Sequence, residues 1–134
     1  MAYINYNANP KNLKTGDCVI RALSKATGKS WDEVYTELCE IGYKKKRLPN
    51  DSHVYKEFLK NNHFTLSSAK RNSDGKMITV EEFTKRCDSK KIYVIHTRKH
   101  LTVVMNNDIY DTWNTSREKA GKFYFKSTYW FQYP

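Results

Sequence analysis

A cysteine, a histidine and an aspartate of this chain could together perform nucleophilic chemistry. Cys18 follows Gly16 and Asp17 at the start of a predicted helix, where unpaired N–H groups and the positive end of the helix dipole favour the thiolate. A thiolate nucleophile also needs a base, a group that orients the base, and donors for the oxyanion that forms. His100 and Asp111 are the candidates for the base and its orienting acid.

A predicted β-hairpin brings the base and the acid together. His100 begins one strand, an Asn-Asn-Asp turn follows at 106–108, and Asp111 ends the returning strand. The carboxylate of Asp111 could therefore accept the second imidazole N–H and fix the tautomer of the ring. His96 is the competing base, but its strand has no carboxylate on a hairpin partner.

The loop before Cys18 offers a second oxyanion donor and a helix cap. Asn12 lies six residues before the cysteine, and its amide N–H could point into the site beside the Cys18 backbone N–H. Gly16 gives this short loop the freedom to bend. Asp17 can cap the helix with its side chain, but its negative charge near the sulfur would raise the thiol pKa. Activation of Cys18 therefore requires a cationic partner.

Four segments, taken in chain order, resemble a known family: Asn12, Gly16-Asp17-Cys18, His100 and Asp111-Thr112-Trp113. The resemblance is to the papain-like cysteine peptidase superfamily. Within it, the pattern is most similar to small bacterial members, such as the leader-peptide peptidases attached to bacteriocin exporters, and to short phage proteins. In that superfamily the cysteine opens the central helix and a glutamine precedes it by six residues. A histidine and then an Asn or Asp follow in the sheet half, with a tryptophan near the latter.

The resemblance implies a role for each of these residues. Cys18 would be the nucleophile, His100 the base and Asp111 the acid that orients it. Asn12, one methylene shorter than the glutamine of the family, would donate to the oxyanion, and Trp113 would shield the contact between the base and the acid. The implied activity is a peptidase that cleaves an amide bond through a thioester. Acyl transfer and glutamine deamidation would use the same residues.

Hydrophobic periodicity predicts the elements that position these residues. Apolar residues at helical spacing predict a helix over 18–27 that Gly28 ends, and a Ser30–Glu33 capping box begins a second helix that Gly42 stops. Shorter helices are predicted over 49–61 and 79–87, residues 63–69 are ambiguous, and strands are predicted at 91–96, 100–105, 109–111, 122–125 and 129–133.

The order of these elements predicts a single papain-like domain over residues 1–134. Residues 1–90 are mainly helical and residues 91–134 form an antiparallel sheet, which is an α+β arrangement. The nucleophile would lie at a helix N-terminus that packs on this sheet.

Charge and cysteine content narrow the class of protein. The formal net charge of +10 favours an acidic partner, either an acidic protein or peptide substrate or nucleic acid. Three widely spaced cysteines argue against a disulfide framework and for a reducing compartment, so we expect a cytoplasmic location. We expect Cys39 and Cys87 to be structural. The sequence contains no CxxC pair, so it gives no support for a zinc site. We also expect no other metal, no organic cofactor and no membrane segment.

A non-catalytic binding module is the alternative function. It would be a papain-like fold, such as a phage accessory or inhibitor protein, whose basic face docks an acidic host protein or nucleic acid. The aromatic runs at 123–125 and 129–131 could stack on bases. Runs of this kind more often bury one face of a sheet.

Overall fold

The computed structural model describes residues 1–128 and shows a six-stranded sheet with helices on both faces. In chain order the elements are β1 (Tyr3–Asn5), α1 (Cys18–Thr27), α2 (Trp31–Lys45), α3 (Ser52–Asn61), β2 (Thr65–Ser67), α4 (Val80–Arg86), β3 (Lys91–Thr97), β4 (His100–Met105), β5 (Asp108–Asp111) and β6 (Phe123–Ser127). Helices α1 to α3 cover one face of the sheet and α4 covers the other.

The sheet confirms the α+β class but corrects the expected composition of the sheet. Its strand order is β1-β5-β4-β3-β6-β2, and β1 runs parallel to β5 while the other pairs are antiparallel. The sheet is therefore mixed, and both of its edge strands come from the first 90 residues. Each edge strand has three residues, which is too short for an alternating pattern to identify it in the sequence.

The central strand β3 contributes side chains to two separate hydrophobic cores. Val94 packs with residues of α1, α2 and α3, whereas Tyr93 and Ile95 pack with Phe83 of α4. The alternation of side chains along a strand produces this division. Because both faces are covered, the strand reads as a continuous apolar run.

The helix boundaries confirm two sequence signals and correct one. Gly28 ends α1 in the left-handed conformation, with φ of 76°, and the Ser30–Glu33 capping box begins α2. Thr79 accepts the Glu82 N–H at the start of α4. Gly42, in contrast, does not stop α2, which continues to Lys45.

Gly42 has a packing role inside α2. The chain folds back after the helix, and the Arg47 N–H donates to the Gly42 carbonyl at 2.9 Å. A Cβ atom on Gly42 would lie 2.6 Å from the Arg47 carbonyl oxygen. Only glycine permits this close approach.

The β4–β5 hairpin has a two-residue turn that sets the position of Asp111. Asn106 and Asn107 both have positive φ, at 53° and 61°, as a type I′ turn requires. Met105 therefore pairs with Asp108, and β5 runs back so that Asp111 lies near the start of β4. Helix α1 packs on β4 and brings its first residue to the same end of the sheet.

Two further expectations concern the last predicted strand and a membrane-spanning segment. The strand predicted at 129–133 lies outside the described residues. Among residues 1–128, none of the helices has the length and apolar character needed to cross a membrane.

The close approach at Gly42 predicts that replacing this glycine with alanine destabilises the protein, although alanine favours helices. Gly42→Ala should lower the free energy of unfolding by about 1–3 kcal/mol because the methyl group displaces the Arg47 backbone, although alanine is otherwise favoured in helices by about 1 kcal/mol. Urea denaturation of the two proteins measures this difference. Thr36→Ala, at an exposed position of the same helix, should change stability by less than about 0.5 kcal/mol. A stabilised Gly42→Ala protein would contradict the packing described.

Candidate active site

The structure joins the three predicted chemical residues into one hydrogen-bonded chain. The Cys18 thiol at the start of α1 is hydrogen-bonded to the ring of His100 and to the backbone of Leu101. The Nε2 atom of His100 lies 2.6 Å from Oδ2 of Asp111. Since Nε2 is engaged by the carboxylate, Nδ1 is the ring nitrogen that remains for the sulfur. His100 and Asp111 are 7% and 5% exposed, so both groups are shielded from water.

The environment of Cys18 favours its thiolate. Partial burial acts to raise the pKa of the Cys18 thiol, but the hydrogen bond and charge of His100, the Leu101 backbone and the charge of Arg21 outweigh it. The net pKa is lowered from the ordinary value of 9.0. A lowered pKa is the property that distinguishes a reactive cysteine from a structural one.

The environment of His100 favours its imidazolium. Burial acts to lower the pKa of His100, but the hydrogen bonds and negative charges of Asp111 and Cys18 raise it to about 9. The pKa of the thiol and that of the imidazole thus shift in opposite directions, the first mainly because of His100 and the second mainly because of Asp111. The pair is held as thiolate and imidazolium over the interval between the two pKa values.

The side chain of Asp17 does not cap α1, which corrects the sequence-based expectation. Its carboxylate forms an ion pair with Arg21 and accepts hydrogen bonds from Asn9 Nδ2 at 3.2 Å and Trp31 Nε1 at 2.9 Å. Arg21 also supplies a positive charge that lowers the Cys18 pKa. The expected penalty of a carboxylate beside the thiol is therefore offset by a buried cation.

The first backbone groups of α1 stay available because Asp17 is engaged elsewhere. The helix begins its ladder with the Arg21 N–H donating to the Asp17 carbonyl at 2.9 Å. The N–H groups of residues 18–20 have no intrahelical acceptor, as at any helix start. Because Cys18 is the first of these residues, their N–H groups can stabilise negative charge that develops beside its sulfur.

The structure does not bring Asn12 to the site. Asn12 is exposed, has φ of 54°, and its side-chain oxygen accepts a 3.5 Å hydrogen bond from Asn7 Nδ2. It is not among the residues that line the pocket around Cys18. The loop turns away because Asn7 and Asn9 hydrogen-bond to it locally, and sequence spacing alone contains no sign of these contacts.

Trp113 covers one face of the His100 ring. The two ring centroids are 4.1 Å apart and the ring planes are inclined by 33°. The indole Nε1 donates to Glu118 at 3.0 Å, which fixes the orientation of the tryptophan. With one face of the imidazole covered, its rotation is restricted and its Nε2 stays directed at the carboxylate.

A pocket of about 220 Å³ opens in front of Cys18 and His100. Gly16, His96 and Lys99 contribute to its walls. Burial, with the positive charges of Lys122 and His100, lowers the pKa of His96, so this ring is neutral near pH 7. The imidazole that hydrogen-bonds to the thiol is that of His100.

Tyr55 of α3 is a pocket residue that sequence reasoning did not single out. It is 5% exposed, packs edge-to-face against Tyr124, and lines the pocket with Cys18. The sequence shows Tyr55 only as one residue of an apolar helix face, and the hydroxyl on that face is the available signal.

The other two cysteines differ from Cys18. Burial raises the pKa of the Cys87 thiol, and its sulfur accepts a hydrogen bond from Asn107 Nδ2 at 3.4 Å. Cys39 lies in the middle of α2, and all three are free thiols. Within the described part of the chain no three His, Cys, Asp or Glu side chains cluster so as to hold a metal ion.

Comparisons of this chain with protein-family models, with curated proteins and with solved structures gave no match. The chemistry of the site therefore has to be inferred from its own geometry.

The opposite pKa shifts of two cysteines predict selective alkylation. At pH 7, iodoacetamide should modify Cys18 about tenfold faster than Cys87 or more, because only the thiolate reacts. Peptide mass spectrometry of timed samples measures the rate at each site, with unfolded protein as the control that removes the difference. Equal rates at Cys18 and Cys87 in the folded protein would contradict the shifts.

Loss of the Asp111 charge should narrow, at both ends, the pH range over which Cys18 and His100 form a thiolate–imidazolium pair. In Asp111→Asn the pKa of His100 falls from about 9 toward its ordinary value, and the pKa of Cys18 rises because its imidazolium partner is lost. The pH profile of Cys18 alkylation should shift upward by about 1 unit or more. Asp108→Asn, at the other end of the same strand, is the matched control and should leave the profile in place. An unshifted Asp111→Asn profile would remove the carboxylate from the site.

Proposed function

We propose that this protein is a papain-like cysteine hydrolase that cleaves an amide bond, most simply as a peptidase. The observation that supports it is the continuous hydrogen-bonded chain of Cys18, His100 and Asp111 at a helix N-terminus. A helix that presents a cysteine, packed on strands that present a histidine and an aspartate, is also the arrangement that the sequence resemblance implies. A structural cysteine needs neither a base nor an acid behind that base.

The first half of the proposed reaction forms a thioester. The Cys18 thiolate attacks the carbonyl carbon, a C–S bond forms, and the carbonyl electron pair moves to the oxygen. Imidazolium His100 then gives its proton to the leaving amine as the C–N bond breaks. Asp111 stays ionised and stabilises the positive ring throughout.

The second half of the reaction releases the acid and restores the enzyme. Neutral His100 takes a proton from water, the resulting oxygen nucleophile attacks the thioester carbon, and the C–S bond breaks to regenerate the thiolate. A different nucleophile in place of this water would make the reaction an acyl transfer, and a glutamine side chain as substrate would make it a deamidation.

Two groups are the candidate donors to the oxyanion in this proposal. The Cys18 backbone N–H belongs to the uncapped first turn of α1. The Tyr55 hydroxyl lines the same pocket and takes the place that the sequence assigned to Asn12. Removal of one such donor lowers the rate by about 10²–10³-fold in comparable sites.

Hydrolysis of p-nitrophenyl acetate tests the proposal without knowledge of the natural substrate. We expect multiple turnovers at neutral pH, with a transient acetyl group on Cys18 that mass spectrometry detects. His100→Gln should lower the turnover rate by about 10³-fold, whereas His96→Gln should retain most of it. Cys39→Ser, a thiol outside the site, is the control for non-specific acylation.

Two results would contradict the proposed mechanism. One is release of a single equivalent of p-nitrophenolate with no further turnover, which would show that Cys18 is acylated but not regenerated. The other is an equal loss of turnover in His96→Gln and His100→Gln, which would remove the distinction between the two histidines. Circular dichroism of each variant separates these outcomes from a loss of fold.

A second candidate function is docking of an acidic partner on a basic groove that shares no lining residue with the Cys18 pocket. The groove has a volume of about 380 Å³. Its lining includes the apolar Phe64 and Leu66 together with Lys45, Lys56 and Lys60, and Glu57, which also lines it, pairs with Lys45 at 3.2 Å. Cations around an apolar floor suit a partner that carries both acidic and apolar groups. This groove is a concrete location for the binding module that the charge of the chain suggests.

Salt dependence tests the docking function separately from catalysis. Retention on heparin should weaken steeply as salt rises, and Lys56→Gln with Lys60→Gln should weaken it at low salt. Lys11→Gln with Lys14→Gln removes the same charge from an exposed loop outside the groove and should have a smaller effect. Equal effects of the two double variants would show that net charge alone determines retention.

A further inference from the structure

A second depression opens beside the pocket of Cys18, and we name it the aromatic groove. Its volume is about 380 Å³, and its main walls are Gly16, Val19, Trp31, Tyr35, Leu48 and Asn50. The walls come from the loop before α1, from the first turns of α1 and α2, and from the connection between α2 and α3.

The aromatic groove adjoins the pocket that contains the thiol. Gly16, Val19 and Asn50 line both of them. A Cβ atom on Gly16 would meet no atom within 4 Å, so the passage is open on that side. A group bound at the Cys18 sulfur can therefore extend directly into the groove.

One wall of the groove is a preformed aromatic surface. The rings of Trp31 and Tyr35 stack at a centroid distance of 5.2 Å with an interplanar angle of 11°. Trp31 is held by its 2.9 Å hydrogen bond to Asp17, a residue that is itself fixed by Arg21. A rigid wall loses little conformational entropy when a ligand packs on it.

The walls of the groove leave apolar surface in contact with solvent. Leu48 is 73% exposed, and Tyr35 is 45% exposed. Apolar side chains gathered around a depression, rather than scattered singly, are typical of a binding site.

We propose that the aromatic groove binds a bulky apolar side chain, preferably an aromatic one, of the peptide whose amide bond Cys18 attacks. This inference rests on the proposed function and adds the substrate class to it. Stacking on Trp31 and contact with Leu48 would bind the side chain, and the passage at Gly16 would place the neighbouring amide bond at the sulfur. The basic charge of the chain suggests an acidic substrate instead, and the two assignments make opposite predictions.

Three alkylating probes that share one reaction distinguish these assignments. In each, the thiolate forms a C–S bond with the iodomethyl carbon while the C–I bond breaks and iodide leaves. The probes are iodoacetamide, N-phenethyl iodoacetamide and iodoacetylglycine, which carry no extension, an aromatic extension and a carboxylate. Each rate at Cys18 is divided by the rate of the same probe with glutathione, so that intrinsic reactivity cancels.

We expect the normalised rate of the phenethyl probe to exceed that of iodoacetamide by about tenfold or more. This advantage should fall to about twofold or less in Tyr35→Ala and in Leu48→Ser, both at exposed positions where truncation leaves the core intact. Tyr43→Ala, a tyrosine of the same helix that is 74% exposed and lies outside the groove, should keep the full advantage.

Three outcomes would overturn the proposal. They are a phenethyl advantage near one in the unmodified protein, a preference for iodoacetylglycine, and an advantage that Tyr35→Ala and Tyr43→Ala reduce equally. Failure of the proposed function is seen separately, because plain iodoacetamide would then react with Cys18 no faster than with Cys87. A reactive Cys18 without a phenethyl advantage therefore refutes the aromatic groove alone.

Discussion

The buried carboxylate of Asp17 is the constraint on which the rest of the structure depends. It joins three segments that are separate in sequence, through Asn9 of the N-terminal loop, Arg21 of α1 and Trp31 of α2. A buried charge is tolerated only when its hydrogen-bonding capacity is used, and here three donors use it. Because the side chain is occupied in this way, the start of α1 remains uncapped, and Cys18 is left beside unpaired N–H groups with a cation on the next turn.

A second consequence of this constraint is that different groups at the beginning of α1 stabilise the helix and remain available to a ligand. At most helix N-termini a capping side chain accepts a hydrogen bond from one of the free N–H groups, and this bond stabilises the helix. Here the ion pair and the packing of α1 on β4 stabilise the helix instead. The N–H groups remain for a ligand, and the arrangement is stiff because its anchors are buried.

The sequence predicted the parts of the fold and site that depend on local rules. The hairpin that brings Asp111 to His100 follows from two adjacent asparagines and short strands, and helix α1 follows from apolar spacing and Gly28. The remainder depends on contacts distant in sequence. Local patterns contain no information on which group Asp17 bonds to, or on the carbonyl that approaches Gly42.

The pairing of β1 with β5 makes the site a property of the whole fold. Tyr3 pairs with Ile109, and the Tyr6 N–H donates to the Asp111 carbonyl at 2.8 Å, so the chain's first residues support the strand that ends in the acid of the site. Such contacts close a loop of about a hundred residues and cannot form in a partial chain. The lowered pKa of the Cys18 thiol is therefore tied to the completed sheet, since His100 and Asp111 reach the thiol only when β4, β5 and β1 are paired.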